Sequence, residues 1–173
     1  MQLAHWDPTD TSMTLCLFTY ASQRHYTALL TQVKDWDPAK PVYEQQHEPL
    51  RTFSGEFRHN TVKWSTIEKE SYPIIEALQE WESYLLCPQG FRIYCDHANL
   101  VTMWKPESVS PSLSKSALDK VYRWLYMLSS FKVISMEHLP GQHNAHPTYY
   151  TDAAGHQLNA WALRKRRRGR KRN

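Results

Sequence analysis

Residues 63–75 read Lys-Trp-Ser-Thr-Ile-Glu-Lys-Glu-Ser-Tyr-Pro-Ile-Ile and predict the start of a long helix. Ser65 and Glu68 have the spacing of a capping box, in which the serine oxygen caps an amide of the first turn and the glutamate reaches back to the cap. Apolar residues then recur at helical spacing, so we predict an amphipathic helix over residues 66–86. Pro73 removes one backbone hydrogen bond from this helix and should kink it.

Short runs of strand-forming residues lie on both sides of this helix, and two further helices follow it. The predicted strands cover 13–20, 26–33, 50–57, 91–96 and 132–139, the other predicted helices cover 97–104 and 117–131, and the predicted loops cover 34–49 and 106–115. A hairpin comes first, and helical connections then lead back to the sheet. This order predicts an α/β fold with a mixed sheet.

Composition excludes several classes of protein. The chain has 173 residues, of which 41% are hydrophobic and 13% aromatic, which is enough for the core of one domain. We predict no membrane span, because no apolar run is long enough, and no secretory signal, because the N-terminus lacks a basic region before an apolar one. The three cysteines are widely spaced without a CxxC pair, which disfavours a thiolate zinc site and fits a reduced intracellular compartment.

Basic charge is concentrated at the carboxyl end of the chain. The basic tail, residues 164–173, holds 8 of the 21 Lys and Arg residues and leaves 13 basic against 17 acidic groups elsewhere. Its charged residues are Arg164, Lys165, Arg166, Arg167, Arg168, Arg170, Lys171 and Arg172. The pattern favours nucleic-acid contact or a nuclear import signal, and hence a nuclear or cytoplasmic protein. A solvated, disordered end without a partner is the alternative.

Two carboxylates stand out as candidate metal ligands. Glu70 falls within the apolar stripe of the long helix, so its side chain should point at the sheet. Asp96 ends a predicted strand, at the edge where open α/β sheets bind ligands. Together they would form an oxygen-rich site suited to Mg²⁺ or Mn²⁺. Alternatively, Glu70 reaches solvent from the edge of the stripe, and Asp96 caps the next helix.

Other motifs carry less chemical information. His138, His143 and His146 cluster near the end of the last strand, but no HExxH motif or cysteine pair accompanies them, so loop histidines are favoured over a zinc site. No phosphate-binding glycine motif and no GxSxG nucleophile motif occurs.

The quoted stretch also resembles the W-S-T-x-E-K-E helix in the ribonuclease H domain of the reverse transcriptase polyprotein of gypsy-type long-terminal-repeat retrotransposons. The resemblance spans residues 1–144, and copies in oomycete genomes are most similar in character. Further motifs of that domain match residues 18–32, 47–50, 53–57, 84–100, 120–124 and 137–144.

The resemblance implies a ribonuclease H-like mixed sheet of five strands, a three-strand antiparallel meander followed by helical crossovers, flanked by helices. It also implies hydrolysis of the RNA strand of RNA–DNA hybrids with two Mg²⁺ ions, beside a polymerase domain of the same polyprotein. Glu70 and Asp96 match two of the four acidic positions of the family, and His97 matches the residue that follows the second. Beyond the match, 145–163 would form a divergent terminal segment, possibly a helix, followed by the disordered tail.

The other two acidic positions have lost their charge. Tyr20 stands where the family has its first Asp, and a phenol is a poor substitute for a bridging carboxylate. Thr148 stands where the last Asp would fall, and Asp152 is a possible replacement. We therefore expect weak metal binding and little or no hydrolysis. The alternative is a non-enzymatic nuclear or nucleic-acid-binding protein that combines an inactive ribonuclease H scaffold with the basic tail.

Overall fold

The computed structural model of the chain describes residues 3–104, 114–140, 149–151 and 157–159. Its strands are β1 (Met13–Ala21), β2 (His25–Lys34), β3 (His47–Glu56), β4 (Phe91–Cys95), β5 (Val133–His138), β6 (Tyr149–Thr151) and β7 (Gln157–Asn159). Its helices are α1 (Thr66–Glu80), α2 (Glu82–Leu85), α3 (Ala98–Met103) and α4 (Lys115–Leu128). Among the described residues no helix has the length and apolarity needed to cross a membrane.

The main sheet has five strands in the order β3-β2-β1-β4-β5. The first three pair antiparallel as a meander, whereas β4 and β5 join β1 in parallel after helical crossovers. The predicted mixed five-stranded sheet with flanking helices is therefore confirmed. Because β1, β4 and β5 run in the same direction, their carboxyl ends meet at one edge of the sheet.

Helix α1 begins as predicted but ends earlier. The Ser65 hydroxyl accepts a hydrogen bond from the Glu68 amide at 3.3 Å, and the Glu68 carboxylate accepts one from the Ser65 amide at 2.9 Å. The helix is uninterrupted at Pro73 and stops instead at Trp81, whose φ of −118° and ψ of 27° leave the helical region. The Trp81 ring packs on Phe53 of β3, with ring centroids 4.9 Å apart, and α2 continues beyond it. The predicted single helix over 66–86 is wrong because this tertiary contact turns the backbone at Trp81.

Strand β3 starts three residues before its predicted start, within the predicted loop. It includes Pro49, which an edge strand tolerates because one side of its backbone has no partner strand. The pairing register shifts here: Leu30 faces Arg51, and the next residue of β2, Thr31, faces Pro49. Leu50 is the extra residue of this bulge, and its side chain is buried.

The two faces of the sheet bury separate apolar clusters. Leu15 and Leu17 of β1 pack with Ile93 of β4 against helix α1. On the opposite face, Phe18 of β1 stacks on Tyr94 of β4, with ring centroids 5.1 Å apart. This alternation places successive residues of β1 and β4 on opposite faces, which decides where the site residues lie.

The remaining boundaries differ from prediction by one to three residues, within the fraying expected at element ends. For example, α4 begins at Lys115 because Ser114 caps it. In the segment where we considered a terminal helix, the structure has an antiparallel pair, β6 with β7. The sequence of β6, Tyr-Tyr-Thr, is made of residues that favour strands over helices.

Candidate functional site

The capping-box motif at the start of α1 joins two helices. Glu68 is buried, and its carboxylate lies 2.6 Å from the Lys120 ammonium of α4. The same ammonium lies 4.0 Å from the ring centroid of Trp64 and 5.9 Å from that of Trp124. Although burial acts to raise the pKa of Glu68, the hydrogen bonds from Lys120 and Ser65 outweigh it and hold the pKa below its usual range. These motif residues therefore bind α1 to α4 and are fully occupied in doing so.

Glu70 lies two residues further along α1, at the carboxyl edge of the sheet. It is buried, as the position in the apolar stripe predicted, and its carboxyl group accepts a hydrogen bond from the backbone amide of Ala21 at the end of β1. Its Oε2 atom is shielded from solvent and has no hydrogen-bond partner among the described residues. The alternative in which Glu70 extends into solvent is thus wrong.

Asp96 follows the last residue of β4 and approaches Glu70. The two carboxylates interact electrostatically: burial first, and then the negative charge of Asp96, raise the pKa of Glu70 to about 7, against the opposing hydrogen bond from Ala21. Asp96 is half-buried and does not cap α3, because the cap position belongs to His97. The structure therefore brings together the two carboxylates that the sequence singled out. We call Glu70 and Asp96 the acid pair.

Tyr20 lies near the end of β4 by strand register. Thr19 is the last residue of β1 that pairs with β4, opposite Cys95. Tyr20 and Asp96 are the next residues along the chain after this last pair. Neighbouring strands are about 4.8 Å apart, so the backbone of Tyr20 lies close to the end of β4.

The surroundings of the acid pair suit a hard cation. Besides Glu70 Oε2, the hydroxyl of Thr19 and Nδ1 of His97 are buried at these strand ends without a partner among the described residues. Carboxylate oxygens are the ligands that Mg²⁺ and Mn²⁺ prefer. Within the same part of the chain, no cluster of three or more Asp, Glu, His or Cys residues forms a more complete site. The acid pair could supply two oxygen ligands to such a cation.

Cys95 lies directly under the acid pair. Burial of its thiol, together with the smaller effect of the Glu70 and Asp96 charges, raises its pKa to about 11 against a hydrogen bond to the His97 backbone. The thiol therefore stays neutral and contributes packing rather than charge.

Several predicted residues lie outside the described part of the chain: Thr148, Asp152, His143, His146 and all charged residues of the basic tail. His138 ends β5 and is exposed. Sequence reasoning missed the amide of Ala21, because a backbone donor leaves no signal in the residue type. It also missed the Glu68–Lys120 pair, whose partners are separated by 52 residues.

Comparison with known proteins agrees with this architecture. The model of the family described as "RNase H-like domain found in reverse transcriptase" matches residues 10–131. No curated protein sequence matches the chain.

Two solved structures share the fold. The foamy viral protease-reverse transcriptase in complex with dsDNA has a TM-score of 0.55 and 16% identity over 82% of this chain. This chain spans only 26% of that protein. LC11-RNase H1 in complex with an RNA/DNA hybrid has a TM-score of 0.53 and 12% identity, with 76% of this chain and 89% of that one covered.

Proposed function

The chain belongs to the family of RNase H-like domains found in reverse transcriptases, and on that premise we propose that it binds RNA–DNA hybrids at the carboxyl edge of its sheet with greatly reduced hydrolytic activity. The approach of Glu70 to Asp96 at that edge carries the proposal. The motif matches support a more specific origin in a gypsy-type retrotransposon polyprotein of the kind found in oomycete genomes, where a polymerase domain would accompany the domain.

Glu70 and Asp96 are the residues that would hold Mg²⁺ or Mn²⁺. When bound, such ions activate the attacking water and stabilise the leaving oxygen of the phosphodiester. The protein's contribution is to fix the ligands: the Ala21 amide orients the Glu70 carboxyl group, and burial on α1 removes competing water. An anionic carboxylate in this environment is destabilised until a cation neutralises it.

The reduced activity follows from Tyr20. A centre with two divalent cations needs several negative ligands, and the position beside Asp96 supplies a phenol instead. The described residues offer no third acid to replace it. We therefore expect the chain to bind at most one divalent ion, weakly.

The test is incubation of the full chain with a labelled RNA–DNA hybrid and Mg²⁺ or Mn²⁺. We expect little or no cleavage by the natural sequence and weak cleavage after Tyr20→Asp, which restores a carboxylate next to Asp96. Any authentic cleavage should disappear in Glu70→Gln and persist in Glu82→Gln, an exposed glutamate at the start of α2. Robust cleavage by the natural sequence that Glu70→Gln removes would contradict the proposed inactivity.

A second candidate function rests on the charge distribution of the sequence. Eight basic residues in the tail suit sequence-independent nucleic-acid binding or nuclear import by a protein whose scaffold no longer cuts. Neutralising about eight phosphates would give a slope of about −7 in a plot of log affinity against log salt. Deletion of residues 164–173 should then abolish both binding and nuclear localisation, whereas unchanged binding and localisation would refute this candidate.

A further inference from the structure

The Ala21 amide can bind Glu70 because of its place in the β1–β2 pairing. Ser22 and His25 close the hairpin, since the Ser22 amide donates a hydrogen bond to the His25 carbonyl at 2.7 Å. Hydrogen-bonded pairs alternate along an antiparallel ladder, so the amides of the preceding pair, Ala21 and Tyr26, point away from the partner strand. On the other side of β1, pairing with β4 stops two residues earlier, and the Ala21 amide reaches past β4 to the Glu70 carboxylate.

Tyr26 lies directly across from Ala21, on the face of the sheet that packs on α1. In a pair without mutual hydrogen bonds the two side chains approach each other most closely. Tyr26 shares its face with Ala28 and Leu30, which are buried in the apolar cluster that includes residues of α1. Ala21 is itself buried. A shift of Tyr26 would therefore move the strand end that carries the Ala21 amide.

The Tyr26 side chain joins this strand end to α1. Its hydroxyl donates a hydrogen bond to the Glu76 carboxylate and also contacts the Tyr72 hydroxyl. The two phenol rings meet edge to face, with centroids 5.1 Å apart. Burial first, and then the Glu76 bond, raise the pKa of Tyr26 far above its usual range, so the hydroxyl keeps its proton and remains a donor. Glu76 and Glu70 belong to the same helix, so both bonds join the hairpin to α1.

Gly55 of β3 makes room for this arrangement. It lies opposite Tyr26 in the β2–β3 pairing, and the Tyr26 ring crosses its backbone. A β-carbon at Gly55 would come within 2.3 Å of the Tyr26 hydroxyl and of the ring carbon that carries it. Any side chain at this position would therefore displace the hydroxyl from Glu76.

Two other bonds hold the turn between β1 and β2. The Gln23 carbonyl accepts a hydrogen bond from the Lys69 ammonium at 2.8 Å, and the Arg24 carbonyl accepts one from the Phe57 amide at 2.8 Å. The flexible four-carbon stem of Lys69 tolerates changes in the distance between the turn and α1. The Tyr26 ring has only two rotatable bonds and lies against β3, so it fixes that distance.

We propose that Tyr26 is a positioning residue for the acid pair. Its bond to Glu76 fixes the distance between the end of β1 and α1. That distance decides whether the Ala21 amide reaches the Glu70 carboxylate and orients it for a divalent cation. The inference rests on the proposed function for its effect on cation binding, whereas the step from Tyr26 to the Ala21 amide operates without a cation.

The test removes the hydroxyl alone, with Tyr26→Phe in the full chain. Tyr84→Phe is the matched control, because the Tyr84 hydroxyl accepts a hydrogen bond from Arg51 at 3.0 Å and so also joins a helix to the sheet. Hydrogen exchange of the backbone amides is measured by NMR in metal-free buffer. The Ala21 amide reports the proposed effect, and the Leu17 amide in the middle of β1 reports unfolding of the whole protein.

We expect Tyr26→Phe to speed exchange of the Ala21 amide about tenfold relative to that of Leu17, the factor that corresponds to the loss of about one buried hydrogen bond. Tyr84→Phe should leave the ratio of the two rates unchanged. Gly55→Ala should act like Tyr26→Phe, because it displaces the hydroxyl without removing it. An unchanged ratio in Tyr26→Phe, whether both amides exchange faster or neither does, would overturn the proposal.

Titration with Mn²⁺ separates this inference from the proposed function. We expect Tyr26→Phe to weaken binding of the ion about tenfold, as the loss of outer support for a metal ligand does, and Tyr84→Phe to leave the affinity unchanged. Equal affinities of Tyr26→Phe and the natural protein would overturn the role of Tyr26 in cation binding. Absence of Mn²⁺ binding by the natural protein would overturn the proposed function, and the exchange ratio would still decide whether Tyr26 positions the Ala21 amide.

Discussion

Glu68 and Glu70 lie two residues apart on one helix, and both are buried, with 7% and 9% of their surface exposed. Glu68 is surrounded by donors, namely the Lys120 ammonium and the amide and hydroxyl of Ser65. Glu70 receives one backbone hydrogen bond, faces the negative charge of Asp96 and leaves one oxygen without a partner among the described residues. Their pKa values accordingly move in opposite directions.

Glu68 therefore stabilises the fold, whereas the ionised carboxylate of Glu70 lowers its stability. A buried charge without a partner lowers stability and is retained where it serves a ligand. Both glutamates are buried on the same helix, so the groups that contact their carboxylates distinguish them. The following variants test that distinction, in order of decreasing effect.

Removing the partner of Glu68 should have the largest effect. Lys120→Met leaves a buried carboxylate without its cation, and we expect the free energy of unfolding to fall by about 3 kcal/mol. Urea unfolding measures it. Lys115→Met, an exposed position on the same helix, is the matched control and should change stability little. Equal stability of the two variants would mean that the Glu68–Lys120 contact is dispensable.

Neutralising Glu70 should act in the opposite direction. In metal-free buffer at pH 8, Glu70→Gln should raise the free energy of unfolding by about 2 kcal/mol, because the pKa of Glu70 is raised in the folded state and ionisation favours unfolding.

The pH dependence has a defined sign. At a pH below the unfolded pKa, 4.5, Glu70 is protonated in both states and the variant should gain nothing. The gain should grow as the pH rises towards the folded pKa of about 7 and then level off. A Glu70→Gln variant less stable than the natural protein at pH 8 would contradict the account of a strained carboxylate.

Removing the cap of α1 tests the other donors of Glu68. Ser65→Ala deletes the hydroxyl that bonds the Glu68 amide and carboxylate, and should cost about 1 kcal/mol of unfolding free energy. Ser83→Ala, at an exposed position of α2, serves as the control in the same urea titration. A loss no greater than that of Ser83→Ala would show that the cap adds nothing to the helix junction.

The smallest effect concerns Thr19 beside the acid pair. Its hydroxyl is buried without a partner among the described residues, so Thr19→Val should stabilise the protein by about 0.5 kcal/mol. Thermal unfolding in metal-free buffer detects such a shift. A clear loss of stability would mean that the hydroxyl makes a contact that matters to the folded state.

Local patterns were sufficient to predict much of the fold. The cap at Ser65 and the run of strand-forming residues in β1 depend on neighbours within a few residues, and both were found where expected. The turn of the backbone at Trp81 was not predictable, because the contact with Phe53 comes from a distant strand. The start of β3 was missed since Pro49 disfavours a strand unless its edge position is known.

For the candidate site, the sequence predicted two positions, Glu70 and Asp96, without the contacts around them. Periodicity placed Glu70 inward and strand length placed Asp96 at the edge, and the fold then brings them together. The sequence did not predict the cation that neutralises Glu68, because Lys120 lies 52 residues away along the chain. It likewise contained no sign that the β1–β2 turn would be fixed by Phe57 and Lys69.

Titration of the full chain with Mn²⁺, followed by electron paramagnetic resonance of the free ion, tests the central claim that Glu70 and Asp96 form a cation site weakened by Tyr20. We predict weak binding of one ion at this site, loss of that binding in Glu70→Gln, no change in Glu82→Gln and tighter binding in Tyr20→Asp. Binding that survives Glu70→Gln, or that Tyr20→Asp leaves as weak as before, would contradict it.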